Sequence, residues 1–166
     1  MRASLKYLPI IILAILQLSF LKGLGWPWFN INLLLCMAVF FTIYGGMEEN
    51  LPPIIIGAVV LDLFSGNIFG IITLAIFLTC AALNFTYLHL FTNQSLPALL
   101  VLGAIGILLY NFFIAVFYYF FYWINLSNQY IFIDGEYWSN LIWKIFFISI
   151  ILIFFYRLSD LKFAKR

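Results

Sequence analysis

Residues 63–133 read LFSGNIFGIITLAIFLTCAALNFTYLHLFTNQSLPALLVLGAIGILLYNFFIAVFYYFFYWINLSNQYIFI, 71 positions without one Asp, Glu, Lys or Arg. His89, Cys80 and the tyrosines are the titratable groups in that run. Roughly a quarter of the residues of a soluble domain are charged, so an uncharged run of this length has no place in water. A second uncharged stretch covers residues 23–47. Over the full chain of 166 residues, 66% are hydrophobic and 8% charged. A soluble fold of this size leaves roughly 30% of its unfolded surface wet and cannot hide so many apolar side chains. Disordered chains are polar and poor in aromatics, whereas here aromatics make up 21%. The composition therefore predicts an all-α integral membrane protein, residues 1–166 forming a single polytopic transmembrane domain.

A spanning helix needs about 20 apolar residues, and six candidates follow one another along the chain. The first covers about 5–24, with Lys6 and Lys22 at the two interfaces, and Trp26-Pro27-Trp28 forms an aromatic turn after it. The second covers about 30–46. Glu48-Glu49-Asn50-Leu51-Pro52-Pro53 reads as a polar turn whose prolines suit a helix start. The third, 53–64, is the shortest at 12 residues. Ser65-Gly66-Asn67 breaks it, the fourth runs from 68 to 91, the fifth from 96 to 123, and the sixth from 138 to 156.

Lys and Arg flanks stay cytoplasmic. Arg2 and Lys6 precede the first span, and Arg157, Lys162, Lys165 and Arg166 follow the last. Both termini then want the cytoplasmic side, which requires an even number of crossings, with Lys22 and Lys144 on the outer side. The N-terminal segment has the charge and apolar run of a signal sequence, but Lys-Gly-Leu-Gly-Trp-Pro-Trp follows it rather than a small-x-small cleavage site. It is read as an uncleaved anchor.

No nucleophile elbow, phosphate loop, Cys-x-x-Cys or His-Glu-x-x-His pattern occurs. Cys36 and Cys80 fall mid-helix as small core residues, and two cysteines with one distant histidine make no metal site. His89 reads as an interfacial residue near a helix C-terminus. The C-terminal lysines and arginine suit anionic lipid, and nothing suits nucleic acid. The expectation is a protein without enzymatic activity, cofactor or metal.

The sharpest local feature is Gly57-Ala58-Val59-Val60-Leu61-Asp62-Leu63-Phe64-Ser65-Gly66-Asn67-Ile68-Phe69-Gly70. A helix-centre Asp costs about 2.5–3.5 kcal/mol on insertion scales and normally faces the bundle interior with a partner. Two roles stand open for Asp62: accepting bonds from Ser65 and the amides that follow, or contacting a partner helix or ligand. Gly66 and Gly70 permit left-handed backbone and close approach. Gly103 and Gly106 offer a separate close-packing site on the fifth helix, and Asn111 an interhelical hydrogen-bond partner.

This motif resembles the signature of the MreD family, rod shape-determining membrane proteins of the bacterial elongation machinery. The basic N-terminus, the Pro-Trp turn, the proline-bearing second turn and the basic tail stand in matching order; the acidic Glu48-Glu49 loop and the polar residues 127–139 depart from it. The resemblance implies a scaffold in the bacterial inner membrane. It would bind an MreC-like single-span protein, near a RodA-type glycosyltransferase and its transpeptidase, with an MreB-like actin homologue on the cytoplasmic side and membrane lipids around it.

A compact bundle of about six transmembrane helices is also similar to the S components of energy-coupling-factor vitamin transporters. In that alternative Asp62, Asn67 and Asn111 would line an outward-facing pocket, with Trp123 and Trp138 near its mouth. The first helix lacks the Ala-x-x-x-Ala surface such components show, carrying bulky Ile and Leu with Ala14 alone between Leu8 and Phe20.

Overall fold

The most buried helix is also the shortest. In a computed structural model, which describes residues 4–21, 23, 31–66, 68–91, 95–126 and 134–163, the elements are α1 (Ser4–Leu16), a π-helical turn (Gln17–Leu21), α2 (Leu33–Tyr44), α3 (Met47–Ser65), α4 (Ile71–Leu90), α5 (Leu96–Trp123) and α6 (Gly135–Phe163). Arg2, Trp26-Pro27-Trp28, Asn67, Lys22 and the tail residues Lys165 and Arg166 lie outside the described residues.

The 12 residues of α2, LLLCMAVFFTIY, are apolar on every side, the pattern of a helix enclosed by others. It packs against all five other helices. The core accordingly falls into two clusters that meet on α2. Leu34 and Ala38 pack with Ile10 and Ala14 of α1, Ile54, Ala58 and Leu61 of α3, and Ile76 and Cys80 of α4. Leu35, Cys36, Val39 and Ile43 pack with Leu83 of α4, Leu99, Leu102 and Ile107 of α5, and Ile148 and Leu152 of α6. The two cysteines thus serve as small core residues in different clusters.

Outside this core the surface is apolar as well. Ile142, Phe146, Ile150 and Phe154 recur every fourth residue along α6 and are all exposed, as are Leu108, Phe112, Val116 and Phe120 on α5. Stripes of this size would drive association in water and match a lipid environment. Among the described residues three helices are long and apolar enough to cross a membrane: Ile71–Leu90, Leu96–Trp123 and the Gly135–Leu158 part of α6. Interior hydroxyls are satisfied on their own helices, Thr42 donating to the Ala38 carbonyl (2.9 Å) and Thr79 to that of Ala75 (2.7 Å). Among the described residues no buried side-chain nitrogen or oxygen lacks a partner.

The all-helical architecture agrees with the expectation, and α5 falls on the predicted 96–123. The third helix does not fall where it was expected. It begins at Met47 and spans 19 residues, about 28 Å, so Glu48–Pro53 is helix rather than turn. The reversal is completed by Gly45 and Gly46 alone. The Asn50 amide donates to both their carbonyls at 2.8 Å, and Met47 is buried with its sulfur accepting from Thr42 Oγ1 at 3.7 Å. Those tertiary contacts outweigh the two ladder bonds that Pro52 and Pro53 cannot make. The shortest helix is therefore α2, not α3. The sixth helix is longer than predicted, starting at Gly135 and ending at Phe163, and the fourth is slightly shorter, Ile71–Leu90.

Candidate functional site

The α3–α4 turn is organised by Asp62, one turn before the end of α3 and only 2% exposed. The first amides of a helix have no partner within it, and at α4 the N-cap residue is Gly70, which has no side chain to supply one. Asp62 does so from the preceding helix. Its Oδ1 accepts from the Ile72 amide (3.0 Å) and its Oδ2 from the Thr73 amide (2.7 Å) and the Thr73 hydroxyl. These are the second and third residues of α4, the positions an N-cap side chain serves. The positive end of the α4 dipole offsets the carboxylate charge, so the buried acid is compensated by a helix end.

Ser65 takes a different part from the expected one: its hydroxyl donates to the Asp62 backbone carbonyl (3.1 Å). Gly66 and Gly70 adopt φ of +73° and +98°, backbone that glycine enters without strain. Close approach is not their role, since a Cβ on either would meet nothing within 4 Å. Leu61 of the motif is buried in the core, but three of its bulky side chains point outward: Leu63, Phe64 and Phe69 are 63%, 70% and 62% exposed.

Close packing occurs elsewhere. A Cβ on Gly103 would stand 2.6 Å from Leu152 Cδ1 of α6, and one on Gly106 would stand 3.2 Å from Leu83 Cδ1 of α4 and 3.3 Å from Val39 Cγ2 of α2. These two glycines serve two different contacts rather than a single site. Among the described glycines the tightest approach of three helices is at Gly57, which opens the motif. Its Cβ would lie 2.8 Å from Leu34 Cδ1 and 2.9 Å from Ile10 Cγ2.

Asn111 belongs to a separate polar region. Its Nδ2 donates to the Ile107 carbonyl (2.7 Å), and its Oδ1 accepts from Lys144 Nζ of α6 (2.9 Å). Both line a cavity of about 340 Å³ together with Gln17, Ile31, Asn32, Leu35, Ile107, Tyr110, Ile114, Tyr137 and Ile148. Gln17 and Asn32 also cap α2: Gln17 Oε1 accepts from the Leu34 amide (3.3 Å) and Asn32 Oδ1 from the Leu35 amide (3.0 Å).

Of the residues expected to form a vitamin pocket, Asn111 alone lines this cavity. Asp62 is committed to the α4 cap, Trp123 and Trp138 are exposed and outside the lining, and Asn67 is not among the described residues. Sequence reasoning did not single out Gln17, Asn32, Tyr137 or Lys144 as site residues. One signal was present: Lys144 is the only charged side chain between Tyr137 and Tyr156 in an otherwise apolar helix, and an ionisable residue within a span marks a site by default. Among the described residues no three His, Cys, Asp or Glu side chains gather as a metal site would require. No known protein family, curated protein or solved structure matches this chain.

Proposed function

We propose that the protein is a non-enzymatic membrane scaffold of the bacterial cell-elongation machinery, of the MreD type. It sits in the plasma membrane with six crossings and both termini cytoplasmic. Its direct partner is an MreC-like single-span protein bound within the membrane, beside a RodA-type glycosyltransferase with its transpeptidase and an MreB-like filament inside.

The observation that carries this reading is the outward set of Leu63, Phe64 and Phe69 around a turn pinned by Asp62. Few interface residues carry most of the binding energy, and aromatic side chains are prominent among them. A turn already held by a buried cap presents them without paying for loop ordering on association. The exposed chemistry is that of a contact surface, whereas the motif's acid is enclosed and engaged within its own chain.

The test is co-purification from membranes with the single-span protein encoded next to it, normalised to expression. Replacing Phe64 and Phe69 together by Ala is expected to cut recovery of the partner about tenfold, the equivalent of about 1.4 kcal/mol. Phe112→Ala, on the lipid-facing stripe of α5, should leave recovery unchanged. Equal recovery for all three proteins removes the motif surface as the contact, and no recovery with the wild type removes the scaffold reading.

A further inference from the structure

Lys144 sits in the ninth residue interval of α6, about 14 Å along the helix from its start at Gly135. An ammonium has three donors and no acceptor capacity. One donor goes to Asn111 Oδ1, and among the described residues no carboxylate pairs with it. A cation inside a span is costly and is normally matched by a counter-charge. Asp62, the one buried acid in the described core, is used at the α4 cap.

A cavity lies beside Lys144. Five apolar and six polar side chains line it, the polar set being Gln17, Asn32, Tyr110, Asn111, Tyr137 and Lys144. Converging polar groups fix the orientation of a bound ligand, and 340 Å³ lies at the small end of the range of ligand pockets, about 300–1,000 Å³. The N-terminus of α2 opens on the same space through Ile31 and Asn32, adding the positive end of a helix dipole. The wall at Gln17 is where α1 passes into its π-helical turn, a local irregularity that often accompanies functional positions.

We propose that this cavity, between the π turn, α2, α5 and α6, is a binding site for an acidic group, a carboxylate or phosphate, held by the Lys144 ammonium. The Asn111 carbonyl oxygen orients that ammonium, and Gln17, Asn32 and the two tyrosines supply neutral hydrogen bonds around the ligand. The volume admits a small acid or the headgroup end of an anionic lipid, not a whole lipid. The site is independent of the scaffold role and does not involve the motif surface.

The test is thermal unfolding of the full chain, purified in an uncharged maltoside detergent and also in phosphatidylcholine nanodiscs. One arm adds sn-glycerol 3-phosphate or succinate to the detergent sample. The other compares nanodiscs with and without phosphatidylglycerol. A ligand that binds only the folded state raises Tm by mass action, here by roughly 5 °C near saturation. The rise is expected in at least one arm for the wild type, to persist in Lys144→Arg, and to vanish in Lys144→Met and Lys144→Gln. A rise with the soluble acids identifies a free ligand, and a rise with phosphatidylglycerol alone identifies a headgroup. The glutamine variant keeps a donor for Asn111, so a fold requirement for that bond is separated from the charge. No rise in either arm, or a rise that survives Lys144→Met or Lys144→Gln, overturns the assignment.

Discussion

Asp62→Leu is expected to destabilise the fold by about 3 kcal/mol, with the α3–α4 hairpin the first element to loosen. Leucine is close in volume but accepts nothing, so the Ile72 and Thr73 amides and the Thr73 hydroxyl all lose their acceptor. Each buried donor left without a partner costs about 1–3 kcal/mol, and part is recovered where the turn can admit water. Asp62→Asn keeps one oxygen for one amide but loses the charge facing the α4 dipole, a term of about 0.3–1 kcal/mol. It should cost roughly 1 kcal/mol. Thr73→Val, which removes only the hydroxyl bond, should fall close to Asn. Denaturant unfolding in detergent micelles followed by circular dichroism ranks the three. A leucine variant no weaker than the asparagine variant would show that the carboxylate is not what fastens the turn.

The second large effect is expected at Gly57. Its α-carbon faces Leu34 of α2 and Ile10 of α1, where even one added carbon would approach both below 3 Å. Leu34 can swing its terminal methyl, but the Ile10 contact is through Cγ2, on a β-branched side chain with little rotamer freedom. Gly57→Ala should therefore be met by a small shift and cost about 1 kcal/mol. Gly57→Leu forces α1 away from α3 and should cost about 3 kcal/mol, the upper end of overpacking. Protease accessibility of α1 in micelles reports the separation directly. Rapid cleavage confined to the leucine variant is expected, while an α1 equally protected in both would mean that the three helices do not meet at Gly57 as closely as described.

How much of this was legible in the sequence differs from element to element. The fifth helix could be read to the residue because Ser95 supplies an N-cap, its Oγ accepting from the Ala98 amide at 3.4 Å, Pro97 suits the first turn, and the apolar run is unbroken to Trp123. The third could not. Pro52-Pro53 is a strong local start signal, but burial of Met47 and the Asn50 bonds to Gly45 and Gly46 extend the helix upstream. Those are contacts across a turn that no local propensity encodes. Asp62 could be recognised as buried and partnered, since a lone acid among apolar residues requires it. Its partners lie 10 and 11 residues on, in the first turn of the next helix. The cavity was the least legible. Gln17, Asn32, Asn111 and Lys144 come from four separate elements, and only packing brings them together.

The proposed topology is six crossings with both ends cytoplasmic. Alkaline phosphatase fusions measure it most directly, because the enzyme is active only when exported. Fused after Arg166 it should be inactive, and inserted between residues 125 and 134 it should be active. An active fusion at Arg166, or an inactive one between residues 125 and 134, contradicts the arrangement.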